Sequence, residues 1–383
     1  MPVQPNRSSM KIAVNAKALI KGNSDGVGRF THETFSRIVK AHPEHQFYFI
    51  FDQNYQQNHI FGTNVEPIII TPQANHPLTW WYWHEVLLAD HLKKIKPDVF
   101  VAPDGFLSLS VPTAQVAVIH DLSFEHYPEL ESWTRRKYYH HFFPRYAERA
   151  NRILTVSNFS KSDICGTYKI SPHKIDVAYN AADPLFAPLT QKEIDDLRFD
   201  LTDGCPYFVY VGSIHPRKNV GRMLRAFDRF KDEIPSNYKL LMVGNPKFKS
   251  PKAEKIYREM HHKSDVVFTG WLSNEHMSKA IGASEALVFV PIFEGFGIPL
   301  VEAMKSNVPI ITSSVTSLPE VAGEAAELVD PFSITAIKNA MVKMTNDFSF
   351  RNEMAAKSFE RGKLFNWDNT ASILWNTILK AID

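Results

Sequence analysis

Short apolar runs rich in β-branched residues alternate with amphipathic helical patterns along nearly all of this 383-residue chain, and that order admits few folds. Strand, helix and strand in succession predict parallel sheets with helices on both faces, the doubly wound α/β class. In the first half the expected strands are Lys11–Asn15, Gln46–Phe51, Pro67–Ile70, Asp98–Ala102, Gln115–Ile119, Ile153–Val156 and Lys174–Ala178. In the second they are Tyr207–Val211, Lys239–Val243, Val266–Phe268, Ala286–Pro291 and Pro309–Thr312. Helical patterns fall between them at Arg29–Lys40, Trp81–Lys94, Arg135–Ala150, Val220–Phe230 and Pro299–Lys305. The order repeats on both sides of a polar stretch around Asp183–Pro206, which carries Pro184, Pro188, Gly204 and Pro206 and reads as a linker with one short helix. A chain this long exceeds one hydrophobic core. The expected division is a flexible leader at 1–9, an N-terminal domain over 10–183, a linker over 184–205 and a C-terminal domain over 206–365. Two doubly wound domains facing each other place a ligand cleft at the carboxyl ends of their strands.

Composition removes several function classes. A net charge of +2 is too mild to argue for nucleic acid as a partner. The two cysteines, Cys165 and Cys205, have no ligand-like spacing and suggest a reducing cytosol without a disulfide framework. No apolar run approaches the roughly 18 residues of a membrane span, and the opening MPVQPNRSS lacks the apolar core of a signal peptide. The expectation is a soluble cytoplasmic protein that can still touch the cytoplasmic face of a membrane.

One stretch points to a ligand. Behind the apolar run Ala286–Pro291 comes Phe293-Glu294-Gly295-Phe296-Gly297-Ile298-Pro299-Leu300-Val301-Glu302-Ala303-Met304. Gly295 and Gly297 let the backbone turn tightly and approach a ligand closely, and Pro299 fits the first turn of a helix. The N–H groups and dipole of that helix start suit phosphate. Glu294 and Glu302 flank this site and would repel a phosphate, so they are read as facing hydroxyls on a ribose or a sugar. A nucleotide-sugar presents both groups. From these residues alone the alternative is a buried strand, a loop and two solvated glutamates.

Other loops fit around it. Tyr207–Val211 runs into Gly212-Ser213-Ile214-His215-Pro216-Arg217-Lys218-Asn219 ahead of a helix, with Asn219 at a plausible N-cap. Arg217 can grip phosphate oxygens in a bidentate fashion and Lys218 acts as a point charge, which leaves Glu294 and Glu302 to hold hydroxyls. Gly26-Val27-Gly28 opens a helix after Lys11–Asn15, and His120-Asp121 ends the strand from Gln115, pointing toward the cleft. Each of these loops has a structural alternative: a solvated basic turn, a helix-capping loop, a satisfied histidine. Two aromatic-basic regions, Trp80-Trp81-Tyr82-Trp83-His84 and Trp133 to Arg149, suit a membrane interface or sugar stacking, the alternative being core.

Together these segments resemble the retaining glycosyltransferases of family 4, whose signature has two glutamates separated by seven residues, as Glu294 and Glu302 are. Ser157-Asn158-Phe159-Ser160 and Tyr179-Asn180-Ala181 look like family segments too. The resemblance implies the GT-B fold, two Rossmann-like domains facing across a cleft. The last helix, about 366–383, would cross back onto the N-terminal, acceptor-binding domain, and 206–365 would bind the nucleotide-sugar. It implies that Arg217 and Lys218 clamp the diphosphate, Glu294 holds sugar hydroxyls and Glu302 the ribose. Gly212, Ser213, Gly295, Phe296, Gly297, Ile298, Leu300 and Val301 would line the donor. Gly26 and Gly28 would lie over its diphosphate, and His120 would contact its sugar with Asp121 in support. Many relatives carry an arginine where this chain has Ser213, and whether Arg217 replaces it is left open.

The likeness to bacterial mannosyltransferases of polysaccharide assembly favours mannose from GDP-mannose, with UDP-sugars open, and a glycan or lipid-linked glycan acceptor. No carboxylate in the motifs is an obvious nucleophile, which favours same-face attack. The chain contains no Asp-x-Asp, so the diphosphate is expected to be balanced without metal, and the nucleotide-sugar is a co-substrate rather than a cofactor. The other readings are a sugar-nucleotide epimerase, which would work without an acceptor, and a non-catalytic nucleotide-sugar binder.

Overall fold

Among the described residues thirteen strands pair into two wholly parallel sheets, one of seven strands and one of six. The computed structural model describes residues 9–20, 26–247 and 250–383, so the expected leader lies outside it apart from Ser9. The chain divides into two compact units. Unit 1 runs to Asn180 and takes in Trp367–Asp383, and unit 2 is Ala181–Asn366.

Unit 1 holds β1 (Lys11–Asn15), β2 (Gln46–Phe51), β3 (Val65–Ile69), β4 (Val99–Ala102), β5 (Ala114–Val118), β6 (Arg152–Thr155) and β7 (Ile175–Val177), in the order 3-2-1-4-5-6-7. Unit 2 holds β8 (Tyr207–Val211), β9 (Lys239–Val243), β10 (Val266–Gly270), β11 (Ala286–Phe289), β12 (Ile310–Ser313) and β13 (Glu327–Val329), in the order 10-9-8-11-12-13. Both orders reverse beside the first strand, at β1/β4 and at β8/β11. Those are the switch points where doubly wound sheets open a crevice. The central strands are buried on both faces, Ile12, Ala13 and Val14 among them and all of Tyr207–Val211, which is why they read as continuous apolar runs.

Where the structure departs from the sequence expectation, the cause is local. β11 ends at Phe289 rather than Pro291, because Pro291 has no N–H for the ladder and the Val290 carbonyl accepts from the Asn219 side chain. β13 was not expected: it is three residues long with only Val329 buried, too short for a period to show. The helix expected from Arg29 starts at Gly26, so Gly26 and Gly28 lie in its first turn rather than in a loop ahead of it. The helical run expected from Trp81 begins at Pro77 and passes as Pro77–Tyr82, a π-turn Trp83–Leu87 and Leu88–Ile95. The stretch 184–205 carries the helix Gln191–Thr202, started by a Thr190/Glu193 capping box. Arg198 ties it to unit 2 through the Ala283 carbonyl at 2.9 Å and Glu285 at 2.8 Å. No described helix is long and apolar enough to cross a membrane.

The helix Trp367–Ile382 returns to unit 1, as expected. It buries Trp367, Leu374 and Ile378 and is pinned by polar contacts along its length. Arg37 pairs with Asp368 at 2.7 Å, and the Thr370 hydroxyl donates to the Tyr179 carbonyl at 2.5 Å. Near its end the Asp176 carboxylate receives Arg152 at 2.7 Å, Thr377 at 3.1 Å and Lys380 at 2.9 Å.

Burial alone would raise the Asp176 pKa; the hydrogen bonds and charges of Arg152 and Lys380 outweigh it and leave it lowered. A carboxyl depressed in the folded state stabilises above its unfolded pKa, about 3.9, and that contribution is lost as pH falls below that value toward the folded pKa. Asp176→Asn should cost about 1–2 kcal/mol near neutral pH and less in acid. Urea unfolding at several pH values, with amide exchange across Trp367–Ile382, measures this. An unchanged midpoint and unchanged exchange would contradict the pinning role.

Candidate active site

In unit 2 the strand order brings the loop after β8 against the loop after β11. Val211 leads to Gly212 and a short turn, Pro216–Lys218, in which the His215 ring accepts the Arg217 amide at 3.3 Å. From this turn the Arg217 carbonyl accepts the Ile292 N–H at 2.9 Å, and the Arg217 guanidinium donates to the Phe293 carbonyl at 2.9 Å. Both of its charged side chains meet one oxygen: Glu294 Oε1 lies 3.2 Å from Arg217 and 2.6 Å from Lys218. That oxygen is buried, so the two ion pairs are shielded from solvent. Lys218 Nζ also stands 4.9 Å from the centre of the Phe289 ring. Glu294 is therefore engaged by the two cations, where the sequence reading left it to hydroxyls alone.

The loop after β12 completes the support. Ser317 Oγ donates to the Glu294 carbonyl at 2.8 Å and the Glu294 amide reaches Thr316 Oγ1 at 3.4 Å. Ser313 Oγ donates to the Pro291 carbonyl at 2.6 Å. The sequence reading passed over these hydroxyls, although Ser313-Ser314-Val315-Thr316-Ser317 directly behind a buried strand is a visible signal. Asn219 starts the helix Val220–Glu233 in a left-handed conformation, but its side chain makes no cap. It bridges the Val290 carbonyl at 2.9 Å and the Pro331 carbonyl at 2.7 Å, tying two loops together.

Of the two signature glycines, Gly297 carries the turn: its φ is +94°, and a Cβ there would meet Leu318 Cδ2 at 2.7 Å. It precedes the helix Ile298–Lys305, with Pro299 in the first turn as expected. Leu300 and Val301 are buried apolar side chains, and the Leu300 amide is spent on the Gly297 carbonyl at 3.0 Å. Phe296 packs edge-on against Phe365 in the core. Glu302 is buried in the same helix. Beside the Arg217–Lys218 turn, Gly212 and Gly244 end adjacent strands, and a Cβ on Gly244 would lie 2.4 Å from the Gly212 oxygen, so only glycine permits this close backbone approach. Tyr210 donates to the Ser213 carbonyl at 2.9 Å, and burial first, then the Glu294 charge, pushes its pKa far up.

Unit 1 places its own candidates at the carboxyl edge of its sheet. His120 follows β5, and its Nε2 lies 2.9 Å from the Pro103 carbonyl while its ring packs edge-on against Phe30 at 5.2 Å. Phe30 belongs to the helix that Gly26 and Gly28 open, and it touches Trp367 of the last helix. Ser160, from the segment likened to the family, donates to the His120 carbonyl at 3.2 Å. Asp121 accepts the Ser123 amide at 2.9 Å.

At the β1/β4 switch point lies a polar group that the sequence reading missed. Asn15 donates to both oxygens of Asp104 at 3.0 Å, and Lys17 sits 3.9 Å from Asp104, 3.1 Å from His84 and 4.2 Å from the Trp83 ring centre. Burial, and then Lys17, hold the His84 pKa well below its ordinary value, so this imidazole is neutral. Asn15 at the end of the first strand and Lys17 just behind it were the available signal.

Among the described residues His42, Glu44 and His45 bring three ligand-type atoms within 4.8 Å. His45 Nδ1 accepts the Met10 amide at 3.3 Å, which leaves the ring proton on Nε2, the nitrogen turned to Glu44. That tautomer donates rather than ligates.

Comparison with known proteins agrees with this architecture. The family described as Glycosyltransferase Family 4 matches residues 24–185, and Glycosyl transferases group 1 matches 192–361. The chain is 28% identical to O-antigen chain mannosyltransferase B of Escherichia coli over 73% of each chain. It is 28% identical to O-antigen chain mannosyltransferase RfbU of Salmonella typhimurium, over 66% of this chain and 69% of that one. Sucrose-phosphate synthase from Thermosynechococcus elongatus superposes with a TM-score of 0.77 at 17% identity, covering 96% of this chain and 98% of its own. With a family 4 domain in its first half, a group 1 domain in its second and two doubly wound units of the GT-B class, the chain belongs to the family 4 glycosyltransferases.

Proposed function

We propose that the chain is a retaining, metal-independent hexosyltransferase, moving mannose from GDP-mannose to a glycan or lipid-linked glycan in cell-surface polysaccharide synthesis. The observation that carries the reading is Glu294 held between Arg217 and Lys218 at the β8/β11 switch point. That contact brings two cations together in a largely buried setting, which a diphosphate is suited to meet. As a nucleoside diphosphate departs, negative charge grows on its outer phosphate, so these cations stabilise the transition state more than the ground state. Glu294, when ionised, is an acceptor only and can receive sugar hydroxyls. Glu302 is assigned to the ribose and His120, with Asp121 in support, to the sugar.

The motifs offer no carboxylate as an evident nucleophile, which supports same-face attack with the leaving phosphate taking the acceptor's proton. Arg217, Lys218 and the helix starts supply the counter-charge that a metal supplies in other transferases. The names of the O-antigen relatives support mannose as the sugar and a growing polysaccharide as the acceptor.

Lys218→Ala should lower kcat/KM for transfer by roughly 10²-fold or more. Glu294→Gln should lower kcat comparably but bind GDP at least as tightly, because the carboxylate that competes for the two cations is gone. Steady-state kinetics on a glycan acceptor, with GDP binding measured in parallel, reads both. Full activity in either variant sinks the assignment, and product formed from donor without acceptor indicates an epimerase.

The donor is read by thermal shift with GDP, GDP-mannose, UDP and UDP-glucose. A ligand at a hundredfold excess over its Kd stabilises by about 2.7 kcal/mol. A shift with GDP and GDP-mannose is expected; a shift with UDP but not GDP would overturn the donor.

A further inference from the structure

A surface helix ordinarily turns polar residues to water. The helical run from Pro77 to Ile95 does so only in its second half. Trp83, His84, Leu88, Ala89 and Leu92 face the core. On the opposite side Leu78 is 75% exposed and Trp81 47%, with Tyr82 and Val86 also exposed. Their spacing of three, four and eight residues puts these four on one face. Charge returns to the exposed side only with Asp90, Lys93 and Lys94.

The neighbouring helix Trp133–Arg149 begins with Trp133, 65% exposed. Behind it at four-residue intervals come Lys137, His141 and Arg145, all exposed. Arg135, Arg136, Lys137, Arg145 and Arg149 stand against Glu148, a net charge of +4 on one helix. The two helices adjoin, because the Arg135 guanidinium lies over the Trp80 ring at 5.7 Å and Trp80 stacks on Tyr139 at 5.8 Å. Other rings in the region are core: Trp83, Tyr138, Phe143 and Tyr146 are buried. Of the carboxylates nearby, Glu85 accepts the Leu109 amide at 2.9 Å and Glu125 the Tyr168 hydroxyl at 2.8 Å, while Glu129 and Glu131 precede the basic helix.

Exposed apolar side chains next to a basic face are the composition of an interfacial surface. The adjoining excess of positive charge has its complement in lipid phosphate. We propose that this face of unit 1 docks on an anionic lipid bilayer, with Leu78, Trp81, Tyr82 and Trp133 entering the headgroup layer and Lys137 and Arg145 meeting lipid phosphates. Helices in a doubly wound unit run antiparallel to the strands, so the first turns of both helices lie at the carboxyl edge of the sheet. His120 and Asp104 lie at that same edge. A bilayer there presents a lipid-borne acceptor to it. The docking stands independently of which sugar is transferred.

Flotation of the purified full-length chain with phosphatidylcholine vesicles, with and without phosphatidylglycerol, tests this. The chain should float with the anionic vesicles and not with the neutral ones, and high salt should release it. Leu78→Ser with Trp81→Ser, and separately Lys137→Glu with Arg145→Glu, should each weaken binding by roughly tenfold or more while the unfolding temperature is kept. Shielding of tryptophan fluorescence from acrylamide by anionic vesicles is a second readout that needs no variant. No flotation, equal flotation with both vesicle types, variants that float like the parent, or absence of shielding would each overturn the proposal. So would a dimer in light scattering that the Leu78/Trp81 change dissolves without any vesicle binding.

Discussion

One carboxylate oxygen organises the second unit. Glu294 Oε1 meets Arg217 and Lys218, and the Arg217 guanidinium and backbone reach Phe293 and Ile292. At an effective dielectric near 20, opposite charges about 4 Å apart attract by about 4 kcal/mol. Taking one partner from a buried ion cluster strands the others at a cost of about 3–5 kcal/mol. The two loops are therefore held as one body, and the same contact that orders them sets two cations side by side. Asn219, Ser313, Thr316 and Ser317 bring the remaining loops into register around it.

The arrangement follows from strand order. Arg217 and Phe293 are 76 positions apart, yet β8 and β11 are neighbours across the point where the sheet reverses. In unit 1 the corresponding reversal brings Asn15 to Asp104, while the helical run behind β3 brings His84 to Lys17. His120 is held from three directions: the Pro103 carbonyl, the Ser160 hydroxyl and the Phe30 ring. Phe30 in turn rests on Trp367, so the helix that crosses back to unit 1 supports the histidine as well as closing the unit's core.

The fold was legible because strands buried on both faces leave an unbroken apolar signature, as at Tyr207–Val211 and Ala286–Phe289. Strand ends were less so: a proline or a diverted carbonyl ends a ladder without altering hydrophobicity, as at Val290 and Pro291. Sequence pattern marked Arg217, Lys218 and Glu294 as loop residues behind strands. It could not show that the carboxylate lies between the cations, because that depends on which strands are neighbours. Nor could it separate Trp81 and Trp133, which face water, from Trp83 and Tyr146, which are core; hydrophobicity is the same and only packing differs. The Asn15–Asp104–Lys17 group escaped notice for the same reason, its members coming from strands joined only in the sheet.

The central claim is that Arg217 and Lys218 form a diphosphate clamp balanced by Glu294. The most direct measurement is calorimetric binding of GDP against GMP to the full-length chain and to Lys218→Ala. The account predicts that GDP binds at least about tenfold more tightly than GMP, a difference of about 1.4 kcal/mol, and that Lys218→Ala removes most of it. Equal affinity for the two nucleotides, or a preference for GDP that survives the loss of Lys218, would contradict it.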